Sequence, residues 1–508
     1  MFLHGKRKPF GLNPKSVSRN LKYVFGELRM REVMRSIGTY RGKQLNIFLS
    51  LLLVLFSVAS VRAQVIQASY ADLVSKVSPA VVTIRSTERG RQAQQFPFMD
   101  DPSFREFFGD RLPQQQQPRR VQGMGSGVIV DPSGYILTNH HVVDGALEIR
   151  VETTDNHTYT AKLVGSDPPS DLAVLKIEGQ GLPTIPLGNS DRVRVGDAVL
   201  AIGNPLGVGQ TVTSGIVSAK GRATGLSDGS FEDFLQTDAA INRGNSGGAL
   251  VNTSGELIGI NSQILSPSGG NIGIGFAIPS NMAKAVMEQL LKSGKVRRGM
   301  LGVTIQSVDA DLAASLSLPA ARGAIVTAVS AGGPAERAGL KRGDVITAIN
   351  KQPIVDNNGL RNLVASLGPG ANVQVTALRN GRDQTFQVAL AELPDRPRPE
   401  TEESSRGEGA TPGNEKFGLT LQPLTPQMAS RFGLEVDDQG LLVTRVDPSS
   451  NAANAGIRQG DLIQEVNRQP VRTFVEFNAA LQQSGSKPAL LLIKRRDQVT
   501  FLTLRPGS

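Results

Sequence analysis

The sequence predicts a mainly β protein, with strands closed into barrels or sandwiches and a repeated module behind them. Three observations carry this reading. Short apolar runs separated by glycine-rich turns recur up to residue 279, with little helical periodicity. Beyond residue 300 one pattern occurs twice, 117 positions apart. The 508 residues include no cysteine, so hydrophobic cores rather than disulfides must stabilise roughly two to four domains.

In chain order, residues 1–44 are polar and basic, and an apolar run follows from Leu45 to Val61. It is short against the about 20 apolar residues of a membrane span. Val61 and Ala63 fit the small-residue rule for signal cleavage after Ala63, and a retained inner-membrane anchor is the alternative. Met30 or Met34 would serve as a start with a shorter basic preamble. Ala80–Ile84 reads as the first strand of the folded part. Residues 91–122 interrupt it with Gln-, Pro- and Phe-rich sequence that reads as an exposed loop. Strand-like runs resume at Gly127–Val130, Tyr135–Leu137, Ala173–Ile177 and Ala198–Ile202. The first long helix is expected at Asn281–Lys292, with Gly294 ending it.

In the repeat, Ala338, Gly339, Gly343, Asp344, Ile346 and Asn350 each have an identical residue 117 positions on, ending at Asn467. Two copies of one module are the simplest explanation. Between them residues 393–413 are rich in Pro, Glu, Arg, Ser and Gly, a composition that packs no core and reads as a flexible linker. The expected organisation is 1–63 preamble and signal or anchor, 64–292 first domain, 293–392 first module, 393–413 linker and 414–508 second module.

The formal charge of +10 sits entirely in residues 1–63, which leaves the remainder balanced. No basic excess remains for a phosphate backbone, so nucleic acid is not an expected partner. Absent cysteine excludes thiolate metal sites and a cysteine nucleophile, and neither metal nor cofactor is expected. An export signal without disulfides suits a bacterial envelope protein.

The chemistry lies in three short segments. His140 and His141 stand in Thr138-Asn139-His140-His141-Val142, Asp171 in Ser170-Asp171-Leu172-Ala173, and Ser246 in Gly244-Asn245-Ser246-Gly247-Gly248. Histidine is the commonest general base near neutral pH. On an extended strand the two adjacent histidines would face opposite sides, so only one would meet the serine. Glycines around Ser246 let the backbone approach closely and aim N–H groups at a developing oxyanion. Alone, each segment has a plainer reading: loop histidines, a capping aspartate, a surface turn. Together, in the order His, Asp, Ser, they match the chain order of chymotrypsin-type acyl transfer.

With Gly125–Ile129, Gln236–Asn242 and Gly273–Pro279 added, these segments resemble the HtrA/Deg family, in particular its periplasmic Do-like members, over residues 70–508. The resemblance implies a chymotrypsin-like double β-barrel protease domain followed by two PDZ domains. It implies His141, not His140, as base, Asp171 as its orienting carboxylate and Ser246 as nucleophile. It places the oxyanion hole at Gly244, Asn245 and Ser246, and substrate-binding residues at Ile241, Asn242, Arg243, Ile264 and Leu265. No acidic residue lies in those substrate segments, which disfavours a pocket for Lys or Arg. PDZ domains take chain ends by strand addition and hold the carboxylate on backbone N–H groups. The loops implied are Met300, Leu301, Gly302 and Val303 in the first module, and Phe417, Gly418, Leu419 and Thr420 in the second. The implied function is an ATP-independent endopeptidase of misfolded or unfolded envelope proteins, with chaperone activity, in the periplasm of a Gram-negative bacterium. The implied partners are unfolded proteins, apolar C-termini, and further copies of the chain in a trimer or larger cage. A chaperone or scaffold for chain ends, and a regulatory protease that starts a stress signal, are the competing readings.

Overall fold

The computed structural model describes residues 69–88, 121–204, 209–225, 230–242, 244–266, 270–394, 414–485 and 487–505. The expected export segment, the loop before residue 121, Arg243 and the linker from 395 to 413 lie outside them. Ala71–Ser508 forms one compact unit.

Twelve strands form two closed barrels. The first comprises β1 (Val81–Glu88), β2 (Val121–Asp131), β3 (Tyr135–Thr138), β4 (Ala146–Glu152), β5 (Thr158–Asp167) and β6 (Leu172–Lys176), in the order β1-β2-β3-β6-β5-β4. The second comprises β7 (Ala198–Gly203), β8 (Thr211–Arg222), β9 (Phe234–Thr237), β10 (Ala249–Asn252), β11 (Leu257–Ile264) and β12 (Gly275–Pro279), in the order β10-β11-β12-β9-β8-β7. Closure removes free sheet edges. Ile84, Ile129, Ile136, Val151 and Leu175 fill the first barrel, and Val199, Leu235, Leu250 and Ala277 the second. The long helix runs Ser280–Ser293 and ends at Gly294, whose φ of 72° and N–H to Leu290 O form a left-handed cap. Its buried Ala283, Val286 and Leu290 lie along one face, at the spacing of an amphipathic helix.

Each repeat is a small antiparallel sheet. The first has β13 (Gly299–Met300) paired with β20 (Ala391–Glu392), and a separate sheet β14-β15-β16-β18-β19. These strands are β14 (Val303–Ser307), β15 (Ala324–Val329), β16 (Val345–Ile349), β18 (Asn372–Arg379) and β19 (Arg382–Ala389), with the short β17 (Gln352–Pro353) against β16. The second runs β21-β22-β23-β24-β26-β27, namely β21 (Asn414–Lys416), β22 (Leu419–Pro423), β23 (Leu441–Val446), β24 (Leu462–Val466), β26 (Ala489–Arg495) and β27 (Gln498–Leu504), with β25 (Gln469–Pro470) on β24. The repeated residues have repeated jobs. Asp344 is buried and receives Arg379 Nε and Nη2, each at 2.7 Å. Asp461 receives Arg495 Nε at 2.6 Å and Nη2 at 2.8 Å. Asn350 and Asn467 both take positive φ, and each accepts a strand N–H on its side-chain oxygen, from Gln374 and Leu490. The two sheets pack together through Val308, Leu312, Ile325 and Val345 against Leu490, Leu492 and Phe501.

Candidate active site

The first barrel delivers the histidine and the aspartate. His140 and His141 do not continue β3. They open a single helical turn, His140–Val143, whose next two residues, Val142 and Val143, are buried in the barrel. The expectation of a strand with alternating histidines is therefore replaced by a turn that swings the two rings apart. His141 Nδ1 lies 2.9 Å from both carboxylate oxygens of Asp171, and the His141 N–H donates to Asp171 Oδ1 at 3.1 Å. His140 points elsewhere, with Nε2 3.8 Å from Asp144 Oδ1. His157 pairs with Asp155 on an exposed turn.

Asp171 is held by its surroundings as well as by its own backbone tolerance. It takes a left-handed conformation, φ 55° and ψ 40°, at the end of the 3₁₀ turn Pro168–Ser170, a conformation that glycine adopts freely and that aspartate and asparagine adopt more readily than other residues. Its carbonyl accepts from the His140 N–H at 3.1 Å and from Asn139 Nδ2 at 2.9 Å. Asp167 caps the turn by accepting from the Ser170 N–H at 3.1 Å. Arg298, at the entrance to the first repeat, closes on Asp167 with both guanidinium arms, Nη1 to Oδ1 at 2.8 Å and Nη2 to Oδ2. Both side chains are almost excluded from solvent. The guanidinium also lies 4.4 Å from the Phe231 ring centroid, and the Phe231 N–H donates to Pro169 O at 2.7 Å. The carbonyl of Glu232 receives Asn358 Nδ2 and Asn362 Nδ2 from the first repeat's helix Asn357–Leu367.

The second barrel delivers the serine. The Gly244–Gly248 loop precedes β10, and a turn closes from the Asn245 N–H to Asn242 O at 3.0 Å with Gly244 at φ 96°. A positive φ at that position calls for glycine. The Gly244 and Ser246 N–H groups donate to no other group among the described residues. The Asn245 N–H, by contrast, is committed inside the turn, and its side chain is buried. A Cβ on Gly247 would stand 2.1 Å from Ser126 O, so the close approach of the two barrels requires glycine there. Ser126 joins them: its N–H donates to Ser246 O at 2.8 Å and its hydroxyl to Gly244 O at 2.6 Å.

Ser262, on β11, completes the group. Its hydroxyl donates to Asp171 Oδ2 at 2.9 Å, and its carbonyl accepts the Ser246 hydroxyl at 2.9 Å. Ser246 and Asp171 thus meet one residue from opposite sides, while the His141 side chain is half exposed beside them. Ser262 has no sequence signal as a site residue, and Ser126 lies in the family-like Gly125–Ile129 segment without a role that the sequence assigns, since each is one serine within a strand.

The expected substrate residues separate. Ile241 is buried in the second barrel, and its carbonyl accepts Asn271 Nδ2 at 3.1 Å. Asn242 and Leu265 are exposed, and Ile264 is half-buried against the barrel core. In the first module Leu301 is buried, Gly302 has φ 77°, and Gly302 O accepts the Ser330 N–H at 2.9 Å. In the second, Phe417 at φ 60° and Gly418 at φ 75° form a two-residue turn ahead of Leu419 and Thr420. Among the described residues no helix is long and apolar enough to cross a membrane.

Comparison with known proteins agrees with this architecture. Residues 125–260 match a trypsin-like peptidase domain, and residues 299–390 and 442–495 each match a PDZ domain. A "Probable periplasmic serine endoprotease DegP-like" of Chlamydia trachomatis is 42% identical, over 86% of this chain and 88% of its own length. A "Probable periplasmic serine protease do/HhoA-like" of Haemophilus influenzae is 43% identical, over 84% of this chain and 90% of its own. The solved HtrA-type protease AlgW with decapeptide superposes with a TM-score of 0.52 at 48% identity, over 65% of this chain and all of that one. The same protease with tripeptide gives 0.53 at 45% identity, over 65% of this chain and 98% of that one. Two closed barrels, two PDZ sheets and this degree of identity place the chain in the HtrA family of serine endoproteases, in its DegP-like branch with two PDZ domains.

Proposed function

We propose that the chain degrades unfolded proteins of the bacterial envelope without ATP, through an acyl-enzyme on Ser246. The observation that carries the residue roles is the chain of hydrogen bonds that runs from His141 to Asp171, from Asp171 to Ser262 and from Ser262 to Ser246. Rotation of the Ser246 hydroxyl from Ser262 O to His141 Nε2 would prepare the nucleophile, and apo sites commonly show such loose hydrogen bonds. Ser246 Oγ attacks the scissile carbonyl carbon while His141 takes its proton, and Asp171 holds the ring. The Gly244 and Ser246 N–H groups stabilise the oxyanion. His141 then protonates the leaving amine as the C–N bond breaks. It next takes a proton from water, which hydrolyses the acyl ester.

The apolar run before Ala63 and relatives named as periplasmic support placement in the periplasm. The β14 edge, which has no partner strand on one side among the described residues, supports capture of apolar C-termini by the first PDZ domain, as do the AlgW structures with peptides. Chaperone activity would follow from holding such chains without cutting them, and oligomers from further contacts of the protease domain. The test is digestion of unfolded casein without nucleotide or added metal, beside Ser246→Ala. Degradation only with Ser246 present supports the proposal. Equal digestion by both proteins removes Ser246 as nucleophile.

A further inference from the structure

The two PDZ sheets differ at one edge. In the first, β14 pairs with β15 on one side and has no strand on the other among the described residues. The segment before it, β13, is drawn away to pair with β20. In the second, the corresponding segment β21 folds back onto β22, so β22 lies between β21 and β23. Its register is Asn414 with Leu421, Glu415 with Thr420 and Lys416 with Leu419.

That edge is where a ligand strand would add. A chain end caught by the loop ahead of β14 must run towards that loop, antiparallel to β14. The segment β21 also runs towards its loop, antiparallel to β22, and then passes directly into Phe417-Gly418. Positive φ at both turn residues is the signature of a type I′ hairpin. Such a turn closes with the N–H of its fourth residue on the C=O of its first. Here that N–H is Leu419's, one of those expected to hold a carboxylate. Gly418 is tightly placed as well, since a Cβ there would lie 2.2 Å from Ser450 Cβ.

We propose that Asn414–Lys416 is an intramolecular ligand of the second PDZ domain, seated where a partner's C-terminus would bind and running in the same direction. Only the first PDZ domain then takes free chain ends. A tether of two residues gives the resident strand a high effective concentration, against which a diffusing peptide competes poorly. The inference rests on the reading that these modules capture C-termini.

The test uses the full chain with Ser246→Ala, a labelled decapeptide ending in Leu-Val-Val with a free carboxylate, and its C-terminal amide as control. Hydrogen exchange and fluorescence anisotropy report the result. Residues 414–416 should exchange slowly without peptide, and peptide should slow exchange in Val303–Ser307 but not in Leu419–Pro423, with one bound per chain. Asn414→Pro with Lys416→Pro removes the N–H donors of β21. The variant should bind two peptides per chain and gain protection in Leu419–Pro423. Random-coil exchange at 414–416 would overturn the inference, as would peptide protection of Leu419–Pro423 in the unaltered chain. A variant that still binds one peptide would also overturn it. Peptide binding at neither module would instead sink the C-terminus reading, and exchange at 414–416 would still decide whether the strand is seated.

Discussion

Arg298→Met should uncouple the first PDZ domain from the aspartate of the site. The guanidinium makes two hydrogen bonds to Asp167, and both partners are buried. Methionine keeps most of the aliphatic stem and removes the charge. Breaking a buried pair by removing one partner costs about 3–5 kcal/mol, because the remaining charge is left uncompensated. Asp167 caps the turn that holds Asp171 at φ 55°, so part of that cost falls on the orientation of His141. For a domain of this size each kcal/mol lowers Tm by about 2–4 °C, giving a drop of roughly 6–20 °C for the protease transition. The assay is a double-mutant cycle with Asp167→Asn, followed by thermal unfolding and by kcat/KM on unfolded casein. Asparagine keeps an acceptor for the Ser170 N–H while removing the stranded charge, so the double variant should recover much of what Arg298→Met loses. A Tm unchanged by Arg298→Met, with a coupling below about 0.5 kcal/mol, lies within ordinary additivity and would refute the reasoning.

Three further outcomes follow, two from the site and one from a buried carboxyl outside it. Ser262→Ala removes a hydrogen bond to the Asp171 carboxylate, and such bonds contribute about 1.5–3 kcal/mol. The expected loss is about 10- to 100-fold in kcat with KM little changed, and an unchanged kcat would show that Ser262 does not position Asp171. Gly247→Ala puts a Cβ against Ser126 O at a strained φ, so the Gly244–Gly248 loop should shift. Activity should then fall more steeply than Tm, which parallel casein and calorimetric measurements would show. Burial pushes the Asp233 carboxyl above the ordinary carboxylate range, helped by Asp191 and opposed by Lys220. The folded state therefore holds this proton more tightly than the unfolded chain. Its contribution favours folding at low pH and is lost as pH rises from the ordinary carboxylate value through the raised one. Asp233→Asn should flatten that part of a Tm-against-pH curve, and an identical slope in both proteins would contradict the assignment.

Much of the site could be read from the chain because it is written in local backbone demands. Gly244 and Gly247 are glycines for reasons of φ and of close approach. Gly294 ends a helix for the same reason. The repeat was legible because Asp344 and Asp461 each pair with an arginine in a buried socket, where losing either partner alone would strand a charge. The roles of Ser262 and Ser126 were not legible, even though Ser126 lies in a segment the resemblance used, since those roles come from strands that meet across a barrel junction.

By itself the sequence determined the elements, their apolar faces and the residue types able to do acyl transfer. All of these depend on dihedral preference and hydrophobic period, which act over a few neighbouring residues. The family pattern pointed to His141, and the tertiary structure supplied the physical arrangement: a His140–Val143 turn whose Val142 and Val143 are buried in the barrel and whose His141 faces Asp171. Only the tertiary structure carried the clasp from Arg298 to Asp167, 131 positions apart in the chain. It also separated the two PDZ copies, since strand pairing depends on which edge is free when the segment arrives. Gly299–Met300 meets Ala391–Glu392, while Asn414–Lys416 meets its own neighbour.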